Sequence, residues 1–200
     1  MLLSKLKSQF GIDGTLLKFI KNYLEGRQQR VVIGGYESGL RTVNSGVPQG
    51  SILGPLLFVL FINDMHKCVS PGTKIALYAD DTKIWRKIVS YMDHLILQRD
   101  ISALLEWSRV NKMTFHPDKC KVVKVTLQVE KYMDKFPYHL GEKCLEYACV
   151  EKDLGVKVVP RLYWNEQHDS LVSSARSRLG LPKRTCHFIK NRRQRLILYK

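Results

Sequence analysis

The sequence lacks an apolar run long enough to cross a membrane. The longest one, Ile52 to Ile62, is about half of the roughly 20 residues that a transmembrane helix needs, and Pro55 interrupts it. The amino terminus, Met-Leu-Leu-Ser-Lys-Leu-Lys, has charges where a signal peptide would carry its apolar core. We therefore expect an intracellular protein, nuclear or cytoplasmic, that is neither secreted nor embedded in a membrane.

Paired cysteines are missing as well. The five cysteines are odd in number, and no two have the two-residue spacing of a zinc knuckle or a redox motif. Irregular ligand sets can be drawn from Cys144, Cys149 and His139, or from Cys186 beside His187. Separate thiols and imidazoles are far commoner than such sites, so the pattern predicts reduced thiols and no cysteine-based metal centre.

Internal repeats and biased tracts do not occur either. Hydrophobic residues make up 44% and charged residues 26% of the 200 positions, as in ordinary globular chains. A chain of this length can bury a sizeable core without disulfides or metals. We expect one medium-sized domain, or one and a half small ones.

Acidic residues are few compared with basic ones. The chain has 33 Lys and Arg against 18 Asp and Glu, a net charge of +15, which makes polyanions the expected partners. Residues 161–200 carry ten basic and two acidic side chains and so contribute +8. A solvated helix face or an acidic protein partner would give a similar composition, but the charge favours a nucleic-acid backbone.

The first 43 residues predict a helix followed by a strand pair. Asp13 is placed to cap an amphipathic helix that Gly26 ends. The β-prone segments 28–33 and 40–43, separated by glycines, predict a short antiparallel pair.

A glycine- and proline-rich segment, 45–55, comes next and excludes regular helix until its end. Pro55 suits a first helical turn, and the apolar run 56–62 predicts a buried helix. The segment has two interpretations: a tight turn that leads into a core helix, or a backbone that a base pair or sugar can approach closely, with Gln49 offering amide hydrogen bonds.

An acidic pair, Asp80–Asp81, separates two strand-like segments, Lys74–Ala79 and Thr82–Ile88. The pattern predicts a hairpin whose tip projects both carboxylates outward. Asp also favours turns for purely local reasons. Carboxylate oxygens on a rigid turn nevertheless suit Mg²⁺, and two such ions would support phosphoryl transfer.

Helical and strand patterns alternate downstream. The predicted elements are a helix capped by Ser90 and Asp93 that runs to about Val110, a strand over Lys121–Leu127, short strands and turns over 137–159, a helix from Asn165 to Gly180, and a last basic helix from about Asn191.

Three stretches resemble a known family: Ser45–Phe58 (Ser-Gly-Val-Pro-Gln-Gly-Ser-Ile-Leu-Gly-Pro-Leu-Leu-Phe), Ile62–Asp64, and Leu77–Lys83 (Leu-Tyr-Ala-Asp-Asp-Thr-Lys). In this order and spacing they closely resemble reverse transcriptases of non-LTR retrotransposons, the LINE-like, jockey and CR1 relatives. The similarity continues through 97–98, 107–108, 117–122, 154–156 and Trp164 with the basic tail, so it covers nearly the whole chain.

This resemblance implies an α+β fold. Residues 1–160 would form part of a right-hand polymerase palm, an antiparallel sheet backed by helices, and residues 161–200 would begin a basic helical thumb. The implied activity is that of an RNA-directed DNA polymerase, a nucleotidyltransferase that uses two Mg²⁺ ions to extend a primer 3′ hydroxyl. The implied partners are an RNA template, a DNA primer and dNTPs.

The resemblance also implies roles for single residues. Asp80 would be a principal Mg²⁺ ligand with Asp81 as its acidic neighbour, and both are the expected catalytic carboxylates. Tyr78 would lie near the primer terminus. Pro48, Gln49 and Gly50 would border the incoming nucleotide and the template.

Further roles follow the same resemblance. Lys119 or Lys121 would lie on the side of the departing pyrophosphate, although a solvated strand edge is the favoured explanation of both. Leu154, Gly155 and Val156 would belong to a hairpin that grips the primer. The side chains expected on the nucleic-acid backbone are Arg176, Arg178, Lys183, Arg184, Arg192 and Arg193.

One departure from the family concerns the metal site. The family has another metal-binding aspartate on a strand just before the helix that residues 1–12 resemble, and Met1 falls after it. The candidates to replace it are unconvincing: Asp13 caps a helix, Glu25 ends one, Glu37 lies in a turn, and Asp64 follows the apolar helix. We therefore expect these 200 residues to be inactive by themselves. The alternatives are a non-catalytic nucleic-acid-binding module and a basic protein-interaction domain.

Overall fold

The computed structural model describes residues 1–127, 135–185, 189, 191, 193 and 194. Helices and short strands both occur in them, so the predicted mixture of helix and strand is confirmed. The chain divides into two compact units. The first comprises 1–115 and 139–141, and the second comprises 116–138 and 142–200.

The first unit opens with two helices. Helix α1 spans Leu2–Phe10 and ends at Gly11, whose φ of 65° suits a left-handed C-cap. Helix α2 spans Gly14–Leu24 and begins at Asp13, whose carboxylate accepts a hydrogen bond from the Gly14 N–H at 2.7 Å. The predicted capping role of Asp13 is confirmed.

A two-stranded ribbon follows, and we call residues 27–43 the arm. Strand β1 (Gln28–Gln29) pairs antiparallel with β4 (Arg41–Thr42), and β2 (Val32–Ile33) pairs with β3 (Tyr36–Glu37). The antiparallel pairing predicted between 28–33 and 40–43 is confirmed at the base of the arm, where 28–29 pair with 41–42, whereas 32–33 pair with 36–37 instead. Glu37, expected in a turn, lies instead in β3, because Gly34 and Gly35 with positive φ supply the turn before Tyr36.

Helix α3 spans Leu53–Ile62 and continues as a 3₁₀ helix over Asn63–Cys68. Pro55 lies in its first turn, as predicted. The prediction of a buried helix is only half right. Leu57 and Ile62 are 2% and 3% exposed, whereas Leu56 and Val59, on another side of the helix, are 55% and 52% exposed.

The central hairpin consists of β5 (Thr73–Tyr78) and β6 (Asp81–Arg86), with Tyr78 opposite Asp81. Helix α4 spans Tyr91–Val110. Alternation along the strands turns Ile75, Leu77 and Ile84 inward. They pack on a core of Ile62, Met65, Leu104 and Trp107, which α3, the 3₁₀ helix and α4 contribute.

A second core lies between the first three helices. Leu6 of α1, Ile20 of α2 and Leu57 of α3 are 0%, 6% and 2% exposed and form its centre. Val47, in the segment before α3, packs against it. Helix α3 thus takes part in both cores and links the amino-terminal helices to the hairpin. The unit also includes β8 (His139–Leu140), which packs beside α4.

The second unit contains short elements and one long helix. Its elements are a 3₁₀ turn over Pro117–Lys119, β7 (Lys121–Val122), β9 (Lys143–Cys144), β10 (Glu146–Tyr147), β11 (Glu151–Asp153), β12 (Val156–Val158) and helix α5 (Asn165–Thr185). Strand β7 pairs parallel with β10, and β11 pairs antiparallel with β12.

Two length predictions in this unit are wrong. The strand expected over Lys121–Leu127 stops at Val122, because its partner β10 is only two residues long and strand hydrogen bonds need a partner. The helix expected to end at Gly180 continues to Thr185, since glycine disfavours a helix interior by only about 1 kcal/mol. The basic helix predicted from about Asn191 falls mostly outside the described residues.

Within the described ranges every sheet has two strands. None of the helices there combines the length and the apolar character that crossing a bilayer would require.

Candidate functional site

The candidate site is built around the turn between β5 and β6. The pairing of Tyr78 with Asp81 leaves Ala79 and Asp80 as a two-residue turn. Ala79 has a φ of 50°, in the left-handed region that costs a residue other than glycine about 1 kcal/mol or more. The hairpin predicted around the acidic pair is confirmed, with Asp81 as the first residue of β6 and not part of the turn itself.

Both carboxylates of the turn face solvent. Asp80 and Asp81 are exposed, and Tyr78, on the same outer face of the hairpin as Asp81, is 66% exposed. In the part of the chain that the structure describes, neither carboxylate has a hydrogen-bonding or ion-pair partner. The turn therefore presents two adjacent negative groups that no cation among the described side chains neutralises.

The opposite face of the hairpin fixes the turn to the core. Leu77, next to the turn on β5, packs against the Met65–Trp107 core, and Thr82, its cross-strand partner, approaches the Met65 sulfur through its Oγ1 at 3.7 Å. Because the residues on either side of the turn are held by packing, the acidic groups sit on a rigid support.

Arg86 holds the other end of the hairpin. Its Nη1 donates to the carbonyl of Pro71 at 3.0 Å and to Oγ1 of Thr73 at 3.2 Å. Its Nε donates to Oδ1 of Asp93 at 3.0 Å. The other oxygen of Asp93 accepts the N–H groups of Ser90 and Val89 at 3.0 and 3.1 Å, which fixes the start of α4.

These contacts set the charge state of Asp93. The backbone N–H groups of Ser90 and Val89, followed by the Arg86 guanidinium, hold the pKa of Asp93 far below its usual range. The capping role of Asp93 predicted from the sequence is thus confirmed. Its contact with Arg86 of the hairpin was not indicated by the spacing of residues in the sequence.

The glycine-rich segment before α3 forms a compact loop. The hydroxyl of Ser51 donates to the Pro48 carbonyl at 2.7 Å and accepts the Gly54 N–H at 3.0 Å. A Cβ atom added to Gly54 would lie 2.5 Å from that same carbonyl oxygen. Gly50 has a φ of 75°, which also favours glycine. The backbone at Pro48, Gln49 and Gly50 therefore has one closely constrained shape, and Gln49 is exposed.

Arg27 joins this loop to the arm. Its Nη2 donates to the Gly46 carbonyl at 2.7 Å, and its Nε donates to the Leu24 carbonyl at 2.7 Å. The N–H of Val43 donates to the Arg27 carbonyl at 2.9 Å and closes the base of the arm. The end of α2, the arm and the glycine-rich loop are thus connected through one side chain.

Asp64 lies at a polar centre within the first unit. Its carboxylate accepts hydrogen bonds from Nζ of Lys5 at 2.7 Å, Nε2 of Gln9 at 2.9 Å and Nε1 of Trp107 at 3.0 Å. The Lys5 ammonium also lies 4.7 Å from the Phe61 ring centroid and 4.8 Å from that of Trp107. Burial opposes the charge of Asp64, but the three donors outweigh it and lower its pKa.

The four carboxylates considered as substitutes for the family's additional metal ligand all have other contacts. Asp64 has three donors. Asp13 caps α2 and forms an ion pair with Lys7, Glu25 pairs with Lys21, and Glu37 pairs with Arg30. In the described ranges no group of three or more His, Cys, Asp or Glu side chains is arranged to hold a metal. By themselves, Asp80 and Asp81 form a partial donor set for Mg²⁺, because that ion takes one or two carboxylates and completes its coordination shell with water and phosphates.

The two candidate lysines of the second unit differ in their surroundings. Lys121 forms an ion pair with Glu146, and this contact lowers the pKa of Glu146. Lys119 is exposed at the end of the 3₁₀ turn and has no ion pair among the described side chains. Neither lies on the edge of a long strand, since β7 has only two residues.

The predicted primer-grip residues form a tight turn. Leu154 and Gly155, with φ of 47° and 88°, connect β11 to β12, and Val156 is the first residue of β12. The side chain of Leu154 is 60% exposed. This hairpin belongs to the second unit.

The predicted backbone-binding cations lie mainly on α5. Arg176, Arg178 and Arg184 are exposed there, and Lys183 belongs to the same helix. Arg193 is exposed, and its N–H donates to Oδ1 of Asn191 at 2.9 Å. Arg192 lies outside the described residues.

Within the first unit the structure brings several predicted residues together. Tyr78, Asp80 and Asp81 share one hairpin, and the Pro48–Gly50 loop precedes the helix whose far end supports that hairpin. Sequence reasoning missed Ser51 and Arg86, which shape the loop and brace the hairpin. The only local signal for Ser51 was its position three residues before Gly54.

Comparison with known proteins gives a consistent result. Residues 2–167 match the family described as reverse transcriptase (RNA-dependent DNA polymerase). The RNA-directed DNA polymerase from mobile element jockey of Drosophila funebris is 31% identical over 187 residues, which are 89% of this chain and 20% of that protein.

Two proteins of Drosophila melanogaster are also similar. The RNA-directed DNA polymerase from mobile element jockey is 35% identical over 108 residues, 50% of this chain and 12% of that protein. The probable RNA-directed DNA polymerase from transposon X-element is 27% identical over 198 residues, 97% of this chain and 21% of that protein.

The chain therefore spans about a fifth or less of the length of these curated relatives. No solved structure matches it significantly. The family match covers most of the chain and includes both the glycine-rich loop and the acidic turn. The chain belongs to the reverse transcriptase family, the RNA-dependent DNA polymerases, and its relatives are polymerases of non-LTR retrotransposons.

Proposed function

We propose that this chain supplies the acidic turn and the glycine-rich loop of an RNA-directed DNA polymerase active site. One observation carries the proposal: in a reverse transcriptase family member, two adjacent carboxylates with no partner among the described residues project from a turn that a packed hairpin holds rigid. A turn kept only for its local shape would gain nothing from two uncompensated charges.

The proposed roles begin with the turn. Asp80 is the principal Mg²⁺ ligand and Asp81 is its acidic neighbour, while Tyr78 on the same outer face lies near the primer terminus. When bound, Mg²⁺ would supply the positive charge that activates a primer hydroxyl and stabilises a leaving pyrophosphate. Pro48, Gln49 and Gly50 border the incoming nucleotide and the template.

The loop suits this role because its shape does not depend on a ligand. The Ser51 bridge and the side-chain-free Gly54 hold the Pro48 carbonyl in place. Gln49 remains exposed, with its amide available to a base or a sugar. A surface that is formed before the substrate arrives loses less conformational entropy on binding.

The remaining assignments concern the domain division and the residues of the second unit. Residues 1–160 would form part of the polymerase palm and 161–200 the start of the thumb. Leu154, Gly155 and Val156 grip the primer, and Arg176, Arg178 and Arg184 contact the phosphate backbone. Of the two candidate lysines, Lys119 is the better one for the pyrophosphate side, because Lys121 is engaged with Glu146. The substrates are an RNA template, a DNA primer and dNTPs.

We expect residues 1–200 by themselves to hold Mg²⁺ weakly and not to extend a primer. Two carboxylates form a partial donor set, and the described residues contribute no third one to the turn. Loss of one ligand from a two-ion site removes much of the charge stabilisation that metal catalysis supplies.

The test measures ion binding by the turn. The chain is mixed with an RNA template annealed to a DNA primer, a dNTP and Mn²⁺, and electron paramagnetic resonance reports free Mn²⁺. We expect the protein to retain Mn²⁺ and Asp80→Asn and Asp81→Asn to lose it, while Asp169→Asn, an exposed carboxylate on α5, behaves like the parent. Equal retention by the parent and both turn variants would reject the proposal.

Primer extension with Mg²⁺ in the same mixture tests the expected inactivity. Extension that Asp80→Asn abolishes would show that these residues suffice for catalysis, which contradicts the inactivity but supports the site. Tight binding of the hybrid with no effect of Asp80→Asn on Mn²⁺ would favour the non-catalytic nucleic-acid module. Negligible affinity for the hybrid even at low salt would favour a basic protein-interaction domain.

A further inference from the structure

The arm, residues 27–43, is an extended ribbon that the core does not support. Every residue from 28 to 42 is exposed. Its internal bonds include the N–H of Val31 to Oγ of Ser38 and the N–H of Ser38 to the Val31 carbonyl, both 2.9 Å. An isolated two-stranded ribbon is marginally stable in water, so a binding partner would explain why this shape is kept.

The tip of the arm is apolar and exposed. Ile33 and Tyr36, on either side of the Gly34–Gly35 turn, are 74% and 85% exposed, and Val32 beside them is 55% exposed. Side chains of this size gathered on a projecting turn are typical of a contact surface.

The charge of the arm is positive around this tip. The arm has three arginines, Arg27, Arg30 and Arg41, and one acidic residue, Glu37. Glu37 forms an ion pair with Arg30. Arg41 is exposed and has no ion pair within the described ranges. Apolar side chains flanked by arginines on a ribbon match a nucleic-acid groove, where the arginines meet phosphates and the apolar groups meet sugars and base edges.

The base of the arm indicates which nucleic acid it would meet. Arg27 bonds to the Gly46 carbonyl at 2.7 Å and so connects the arm directly to the loop assigned to the template and incoming nucleotide. A duplex held at that loop would therefore lie next to the base of the arm.

We propose that the arm contacts the RNA–DNA duplex of template and primer. Ile33 and Tyr36 lie in the wide, shallow minor groove of this A-like duplex, and Arg41 lies on its backbone. The inference rests on the proposed function, because it takes the duplex at the glycine-rich loop as given.

The experiment measures binding of the full 200-residue chain to a fluorescein-labelled RNA–DNA hybrid with a single-stranded RNA overhang, by anisotropy over a range of salt concentrations. We expect Ile33→Ser and Tyr36→Ala each to raise the Kd on the order of fivefold or more. Val89→Ser removes an equally exposed β-branched side chain, 78% exposed, from a site outside the arm and should leave the Kd unchanged.

A second pair of variants tests the arginine. Arg41→Gln should reduce the slope of log Kd against log salt by about 1, as loss of one phosphate contact does. Lys18→Gln, an equal charge change on an exposed face of α2, should alter the slope less. Circular dichroism of each variant checks folding.

The outcomes separate this inference from the proposed function. If the parent binds the hybrid and Arg176→Gln on α5 weakens binding while the arm variants do not, the arm proposal is rejected and the proposed function stands. If the arm variants change sedimentation but not hybrid affinity, a second copy of the chain occupies the arm and the proposal is rejected. If the parent does not bind the hybrid at any salt, both proposals fail.

Discussion

Single atoms decide the shape of the glycine-rich loop. The space beside Gly54 is filled by the Pro48 carbonyl, which Ser51 holds through its hydroxyl. The glycine is required by close contact and not by its φ, which distinguishes it from Gly50. Several glycines in this sequence look alike as letters, yet only the structure separates the ones that need an empty Cβ position from the ones that need a positive φ.

Gly54→Ala tests this contact. A methyl group 2.5 Å from a backbone oxygen must push the loop away, so we expect a loss of about 1–3 kcal/mol in the free energy of unfolding. Urea denaturation measures it. Gly180→Ala, within α5 and with no atom within 4 Å of its added Cβ, is the control and should be neutral or stabilising. Equal effects of the two changes would contradict the close contact.

The polar centre at Asp64 should make stability depend on pH. Its pKa lies below the ordinary value of 3.8, so the folded chain binds fewer protons there than the unfolded chain does. The stabilisation is therefore complete above about pH 4 and is lost as the pH falls through the folded pKa.

Asp64→Asn tests this dependence. We expect it to lower the free energy of unfolding by about 1–3 kcal/mol at pH 7, because the Lys5 ammonium then faces a neutral amide in place of a carboxylate. The difference from the parent should shrink below pH 3.8. Thermal unfolding at several pH values measures it, with Glu166→Gln on α5 as a control. A difference that stays constant from pH 7 to pH 3 would refute the ion-pair explanation.

Among the elements, the hairpin that carries the acidic turn depends on Arg86. This side chain joins both outer ends of the hairpin to the first turn of α4 through Pro71, Thr73 and Asp93. An exposed hairpin without such a connection would fray at its open end and loosen the turn at the other.

Arg86→Met should therefore release the hairpin. We expect the midpoint of thermal unfolding to fall by several degrees and amide hydrogen exchange to accelerate around 71–73 and 88–93. Lys87→Met changes the exposed neighbouring cation and serves as control. Unchanged exchange in both segments would show that packing alone holds the hairpin.

The elements that local patterns determine were predictable from the sequence. The cap at Asp13, the hairpin around Asp80 and the start of α4 all follow from turn chemistry and periodicity over a few residues. The strand over 121–127 was not predictable in length, because its extent is set by β10, more than 20 residues further on. For the same reason no local pattern showed that Arg86 meets Asp93 or that Trp107 meets Asp64.

At the scale of the whole molecule, the net charge and the exposed apolar surface have opposite effects on self-association. The chain carries +15. Ile52, just before α3, is 94% exposed, and Leu56 and Val59 of α3 are 55% and 52% exposed. Like charges keep copies apart at low ionic strength, whereas apolar faces favour association.

Self-association should therefore rise with salt. We expect light scattering from the purified chain to increase between about 50 mM and 500 mM NaCl as the repulsion is screened. Leu56→Ser combined with Val59→Ser should reduce the increase, and Val89→Ser should not. Scattering that falls as salt is added would show that association is electrostatic and not apolar.

The contacts of Lys5 also have a consequence for the order of folding. Its partners, Asp64 and Trp107, follow it by 59 and 102 positions. During synthesis on a ribosome, helix α1 emerges before either of them, and the Lys5 ammonium must stay hydrated until Trp107, 102 positions further on, has been made. Helix α1 is thus synthesised well before the side chains that complete its native environment.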